Sequence, residues 1–286
     1  MPKPFQGHIR IIQRNAIKSW TRLKPCPEII LFGWEEGIEE CASQLGLDHL
    51  PEVARNAWGT PLLADIFRQA EQHARHDLLV YVNADIILPQ EFMIGVNKVR
   101  ECFPEFLAVG RRTNLDILEP LDFHPGWEAR LREKRLREGV LESHTGIDFF
   151  AFLRGTYRDV PPLAIGRIWF DQWCIKHARK NGLPVIDMTK FAPIVHQLHD
   201  YNHVPGGKFG GTYGGIEADE NLVYYGERPH TYTILSATHE ITERGQIRRL
   251  HFRKQVEAVR QFFWKNFVDK TYGVRKRLGL RRRPQI

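Results

Sequence analysis

The sequence predicts an α/β fold: an open, mostly parallel (mixed) sheet flanked by helices, followed by a C-terminal helix and a basic tail. Three observations predict it. Over the first two hundred positions, short apolar runs alternate with amphipathic stretches of roughly 10–15 residues, the pattern of βαβ units. The run Leu78-Leu79-Val80-Tyr81-Val82 is apolar on both faces, as a strand inside a helix-covered parallel sheet is. And 286 residues, 42% hydrophobic and 26% charged, suffice to bury a large core without disulfides or a structural metal.

The elements follow in order. Ile9, Ile12, Ala16, Ile17, Trp20 and Leu23 recur at helical spacing, so 8–23 are expected to form an amphipathic helix. Residues 28–32 are a short apolar run closed by Gly33, a buried-strand signal, and 36–45 return to helical spacing. Thr60-Pro61 reads as a helix start, Thr as N-cap and Pro in the first helical position, for a helix carrying Leu63, Ile66, Phe67 and Ala70. After the strand at 78–82, a helix is expected over 89–103 and a strand over 106–109, ending at Gly110. Residues 128–142 predict a charged helix with a thin apolar stripe of Leu131, Leu136 and Leu141. A strand at 148–152, a helix over 168–181 and strands near Val185 and Ile194 come next. Six glycines within 205–215 are too many for a packed element and predict a mobile loop. An amphipathic helix over 250–267 precedes the basic tail. No repeat or long linker interrupts the chain, so one domain over 1–245 and an appendage over 246–286 are expected.

Charge narrows the partners. The net +7 is a C-terminal property: positions 244–286 hold fourteen Lys and Arg against Glu257 and Asp269, whereas 1–243 hold 27 basic and 32 acidic residues. An acidic body offers no extended basic face, so no nucleic-acid partner is expected. The tail around Arg275-Lys276-Arg277 and Arg281-Arg282-Arg283 either meets an anionic membrane surface, at roughly 1 kcal/mol per basic residue, or is a disordered solubilising end. No apolar stretch approaches the ~20 residues of a spanning helix, and no signal-type apolar region follows Met1. Cys26, Cys41, Cys102 and Cys174 lack C-x-x-C spacing, against zinc and against a disulfide framework. The expected compartment is the cytoplasm, with peripheral attachment at the inner face of a membrane if the tail binds lipid.

In an open α/β sheet, ligands bind beyond the carboxyl ends of the strands. Asp85 follows the strand at 78–82 between apolar runs, where a carboxylate is costly to bury unless it binds something. Mg²⁺ or Mn²⁺ suits it; capping the next helix is the alternative. Asp171 lies in the first turn of a helix between aromatics, a place for a general base or for a carboxylate that complements the helix dipole. Trp169 and Trp173, four residues apart, form either a stacking platform for a sugar ring or core packing. Asp148 opens an aromatic strand and is the alternative base, a contact for acceptor hydroxyls, or a turn residue. His196, His199 and His203 with Asp200 crowd eight residues just before the glycine-rich segment, the edge of a site. No H-E-x-x-H is present.

The order of these segments resembles that of GT-A-fold, family-2-like nucleotide-diphospho-sugar transferases over about residues 5–240. The pieces that carry it are Gln13-Arg14-Asn15-Ala16-Ile17-Lys18-Ser19-Trp20, Gly59-Thr60-Pro61-Leu62, Asn83-Ala84-Asp85-Ile86-Ile87-Leu88, Asp148-Phe149-Phe150, the Asp171 helix and His199-Asp200-Tyr201. Residues 81–88 are similar to the family's DxD-type segment, with Asn83 in place of the first acid. The resemblance implies Asp85 as the metal ligand, assisted by His199 or, second, His196. It implies Asp171 as the base that deprotonates an acceptor hydroxyl, with Asp148 as substitute. Arg14, Asn15 and Asn83 would lie beside the donor, Arg111 or Arg112 against its diphosphate, Trp169 and Trp173 against the acceptor, and 206–215 over the bound donor as a lid. The implied activity is a Mn²⁺- or Mg²⁺-dependent transfer, inverting rather than retaining, of a hexose from a nucleotide-diphosphate sugar donor to a hydroxyl-bearing acceptor (a glycan, a lipid-linked or a small molecule). Two alternatives stand beside it. A nucleotidyltransferase of similar fold wants a glycine- and lysine-rich pyrophosphate loop, which 4–8 do not offer. A non-catalytic membrane or nucleic-acid adaptor would work through the tail. The family's domains open with a strand whose carboxyl end touches the nucleotide base. Met1-Pro2-Lys3-Pro4-Phe5 stand where that strand would finish, so a first strand cut short or absent is expected.

Overall fold

The helical spacing at the start becomes α1 (Gly7–Trp20), which buries Ile12, Ala16, Ile17 and Trp20 on one face. A computed structural model describes residues 1–200, 207–226 and 232–250. By their contacts the residues divide into a unit of Met1–Arg248 and a second of Arg249–Ile286. The expected terminal helix and basic tail, like His203, lie outside the described residues.

Downstream of α1 come β1 (Ile30–Phe32), α2 (Ile38–Leu45), β2 (Asp48–Leu50), α3 (Leu63–His73), β3 (Leu78–Val82), β4 (Ile86–Ile87) and α4 (Gln90–Cys102). Then follow β5 (Leu107–Val109), β6 (Thr113–Leu115), α5 (Trp127–Glu138), β7 (Val140–Leu141), β8 (Phe149–Leu153), α6 (Phe170–Lys180), β9 (Val185–Asp187) and β10 (Val195–Gln197). The last described elements are α7 (Ile216–Tyr225), β11 (His239–Ile241) and β12 (Ile247–Arg249). The architecture is mixed α/β. Six strands form one sheet in the order β12-β11-β9-β5-β8-β3, four form another in the order β4-β10-β6-β7, and β1 pairs β2 in a parallel pair. The core lies between the large sheet and α1, α2 and α4, around Ile17, Ile38, Ile86, Phe92, Val99, Phe149 and Ile186.

The large sheet is parallel from β11 through β9 to β5, but β8 runs antiparallel to both β5 and β3. That reversal has a chemical consequence. With Val82 opposite Phe149, the residues that leave β3 and the residue that enters β8 meet at the same sheet end. The expectation that residues 78–82 lie inside a covered parallel sheet is therefore corrected. β3 is antiparallel to its described partner and ends the sheet, and its Val80 is 38% exposed.

Three further local expectations are revised. Thr60-Pro61 does not start α3, which begins at Leu63. Pro61 and Leu62 are drawn into bridges with Arg55 and Ala164, and the Leu63 N–H donates to the Leu163 carbonyl at 2.9 Å, so tertiary pairing displaces the helix start. The charged helix ends at Glu138 rather than 142, because Val140 and Leu141 pair with Asn114 and Thr113 of β6. Of its expected stripe only Leu131 is buried; Leu136 is 71% exposed and Leu141 47%. Gly139 makes the break: a Cβ there would meet the Arg135 carbonyl oxygen at 2.4 Å and Thr113 Cγ2 at 2.7 Å.

The glycine-rich stretch is partly packed. Residues 208–212 form a wide helical turn whose Thr212 carbonyl accepts the Ile168 N–H at 2.9 Å. Gly215, at φ +88°, comes so close to the Gly210 carbonyl oxygen that a Cβ would lie 2.8 Å from it. The chain then enters α7, absent from the sequence reading, which has little apolar periodicity to announce it. A polar anchor holds it instead. Asn221, buried, accepts the Ala164 N–H at 2.8 Å and donates to the Ala164 and Ile168 carbonyls. No described helix is long and apolar enough to cross a membrane.

Candidate functional site

The reversal of β8 sets up the site. A cleft of about 720 Å³ opens at this end of the sheet, lined among others by Asn83, Asp85, Arg112, Asp148, Asp171, His196 and His199. Asp85 sits between β3 and β4 on a segment that α1 holds by hydrogen bonds. The Trp20 indole N–H donates to the Ile86 carbonyl at 2.8 Å, and the Leu88 N–H to Ser19 Oγ at 3.1 Å. Beside it, β10 pairs antiparallel with β4, with His196 opposite Ile86. This register brings His196 to the carboxylate one residue earlier.

Asp85 Oδ2 lies 3.2 Å from His199 Nε2 and 3.7 Å from His196 Nε2. One donor atom from each of the three residues falls within 4.8 Å of the others, a group able to hold a cation. Burial alone would raise the Asp85 carboxyl, but His196, the His199 hydrogen bond and the Lys3 charge outweigh it and hold it well below the usual carboxylate range. Burial lowers His196 to about 3, so it is neutral at physiological pH. Its Nδ1 lies 2.9 Å from Asn114 Oδ1, an acceptor, so Nδ1 carries the proton and Nε2 turns its lone pair towards Asp85.

These residues fit a divalent ion. Asp85 Oδ1 is buried and has no hydrogen-bond partner among the described residues, the state of a carboxylate oxygen that lacks its counterpart. A carboxylate with neutral imidazoles is a common ligand set for first-row divalent ions. Lys3 Nζ stands 3.3 Å from His199 Nε2, and burial lowers its pKa. Nothing in the residue pattern marks Lys3 as a site residue; its place comes from Gln13, which donates to the Lys3 carbonyl at 2.8 Å and accepts its N–H.

On the opposite flank, Asp148 precedes β8 and Arg112 precedes β6. Arg112 Nη1 reaches both Asp148 oxygens at 3.0 and 3.1 Å, and Asn83 Nδ2 donates to Asp148 Oδ1 at 2.7 Å. Burial raises the Asp148 carboxyl, while Arg112 and these hydrogen bonds pull it back. Asp171 is placed by its neighbour Phe170, which packs edge-on against Tyr81 of β3 and Phe150 of β8. Burial raises the Asp171 carboxyl to about 7, against the pull of the Gln172 N–H, with Asp148 adding to the rise. Trp169, which caps α6, holds a left-handed φ of 85°, rare for a bulky residue and costing of order 1–3 kcal/mol. Gln172 Oε1 accepts its N–H at 2.9 Å. Strain of this kind clusters at functional sites.

The other residues expected here lie elsewhere. Trp173 is 9% exposed and stacks on His177 at 4.9 Å, and Trp169 packs against Tyr225 at 5.0 Å; neither lines the cleft. Arg14 donates to Gln44 at 2.6 Å, away from the cleft lining. Asn15 is buried under it as support: it donates to Gln197 Oε1 at 3.0 Å, and Gln197 in turn donates to the Asp85 carbonyl at 3.1 Å. Arg111 points to the Glu142 carbonyl, leaving Arg112 as the arginine that lines the cleft. No protein-family model matches the chain, and no curated protein matches it.

Proposed function

We propose that the chain is a glycosyltransferase dependent on a divalent cation, moving a sugar from a nucleotide diphosphate to a hydroxyl acceptor. One observation carries this reading. The cluster of Asp85, His196 and His199 faces the same cleft as Asp171, a carboxyl poised near neutral pH. The resemblance of the segment order to that of GT-A enzymes supports the donor class.

Asp85, His196 and His199 would hold the ion, whose chemistry there would be to offset the negative charge of a departing diphosphate. Two imidazoles to one carboxylate favour Mn²⁺ over Mg²⁺, which prefers oxygen ligands. The protein's own groups do the rest. Asp171 takes the acceptor proton on a carboxylate oxygen, and a base works best when its pKa lies near the working pH. Asp148 is the weaker candidate for that role. Its oxygens are already engaged by Arg112 and Asn83, so it fixes the Arg112 guanidinium at the cleft wall. Inversion at the sugar carbon follows from direct attack by the deprotonated hydroxyl.

Thermal unfolding of the full chain tests the reading. With Mn²⁺ and a nucleoside diphosphate at ~100 times its dissociation constant, binding to the native state alone adds about 2.7 kcal/mol, several degrees in Tm. One of UDP, GDP, ADP and CDP is expected to give a rise that needs Mn²⁺. No rise with any of them, with or without the metal, overturns the proposal.

A further inference from the structure

His196 can serve a cation through Nε2 in only one of its two neutral forms. The ring must carry its proton on Nδ1, so that Nε2 keeps a lone pair. The cluster itself favours the other form. Asp85 Oδ2, 3.7 Å from His196 Nε2, attracts a proton placed there, and an Nε2–H has no lone pair to give a metal ion. A group on the far side of the ring has to outweigh that carboxylate.

Strand register supplies it. β10 runs parallel to β6 with His196 opposite Asn114, so the two side chains are neighbours on one face of the sheet. Asn114 Oδ1 lies 2.9 Å from His196 Nδ1, within hydrogen-bond range, whereas the Asp85 contact lies beyond it. The amide is not free to turn round. Its Nδ2 donates to Glu142 Oε2 at 2.9 Å, and a carboxylate ion only accepts, so the amide oxygen is left for the imidazole. Glu142 is fixed in its turn. Its N–H donates to the Arg112 carbonyl at 3.0 Å, and its Oε2 lies 3.6 Å from Arg112 Nη2. The Glu142 stem passes through the space that a Cβ on Gly146 would fill, an approach that glycine permits. His199 has no need of such a side chain, because its Nδ1 meets the main-chain carbonyl of Asp200. Asn114 does not line the cleft, whereas His196 does, so its influence on the site passes through that ring.

We propose that Asn114 is a positioning residue: held by Glu142, it makes His196 a cation ligand against the pull of Asp85. The inference rests on the cation site proposed above. An amide suits the place, since it accepts from the ring and donates to the carboxylate at once.

The test is the tautomer of His196, read from the ring nitrogen chemical shifts of the metal-free full chain at pH 8, beside Mn²⁺ affinity by calorimetry. The wild-type ring is expected to carry its proton on Nδ1. Asn114→Leu removes the acceptor. The proton is then expected on Nε2, and the Mn²⁺ dissociation constant is expected to rise roughly 10–100-fold. Exchanging the two groups, Asn114→Asp with Glu142→Gln, keeps an acceptor at the ring and a hydrogen bond between the pair. That double variant is expected to restore both the tautomer and the affinity. A wild-type ring protonated on Nε2 overturns the inference, whether or not the variants fold. Asn114→Leu with the wild-type tautomer and affinity overturns it too, as does a double variant that behaves like Asn114→Leu. Wild-type protein with the expected tautomer that binds no Mn²⁺ overturns the cation site, and this role with it. Mn²⁺ binding without any nucleoside diphosphate binding overturns the transferase reading and leaves the role of Asn114 standing.

Discussion

Replacing Asp85 by alanine is expected to abolish Mn²⁺-dependent sugar transfer while leaving a folded protein. Asp85 is the sole carboxylate in the cluster, so the variant keeps two imidazoles and no negative ligand. Losing one preorganised electrostatic partner of a transition state costs about 10²–10³-fold in rate, and losing the anionic ligand of the ion costs at least that. The variant loses the Asp85 contacts to His196, His199 and Lys3 and with them some stability, but the fold should survive because those contacts are confined to the cluster. Its Oδ1 has no partner among the described residues, and the main chain at Asp85 is held separately by Gln197. The measurement is turnover alongside far-UV circular dichroism and the Mn²⁺-dependent Tm rise. A folded variant that keeps turnover contradicts the metal assignment.

Asp171→Asn should lower transfer by about 10²–10⁴-fold, the usual contribution of a general base, with donor affinity unchanged. It should also stabilise the protein. Burial raises the folded carboxyl to about 7 from an ordinary 3.8, so the native state binds this proton more tightly than the unfolded chain. The group's favourable effect is therefore complete below about pH 4 and is lost as pH rises to about 7. At pH 8 the ionised group costs at most about 4 kcal/mol, from about three pKa units, and less to the extent that cleft water solvates it. Asparagine carries no such cost. Its Tm advantage should be several degrees at pH 8 and vanish near pH 4. Wild-type transfer, in turn, should fall about tenfold per pH unit below 7 as the base is protonated. An Asn variant with normal transfer would shift the role to Asp148 or require a retaining route.

Much of this arrangement was legible in the residues. Leu78-Leu79-Val80-Tyr81-Val82 announced β3 with the right ends, because apolar, β-branched and aromatic residues fit one state. Asp85 stood out as a carboxylate between apolar runs. What the sequence could not show was pairing. The antiparallel course of β8, the choice of Arg112 over its neighbour, and the entry of His196 beside Asp85 all follow from strand register, which has no local signature. Asn15 read as a donor contact because it is polar in an apolar helix; its partners, 104 and 182 residues away, are what give it a supporting role instead. α7 was silent for the same reason, since the hydrogen bonds of Asn221 that place it reach 53 and 57 residues back; Lys3 is placed by a side chain ten residues on, Gln13.

The antiparallel β8 also sets when the cleft forms. Leu78 finds Leu153 and Leu107 finds Phe152, and such distant closures are late and slow events in folding. Asp85, Asp148, Asp171 and His196 come together only once those closures are made. Truncating them should consequently alter the rate of unfolding far more than the rate of folding, with φ-values near zero in a stopped-flow series. The protein can thus change its chemistry at these positions without slowing the search for its fold.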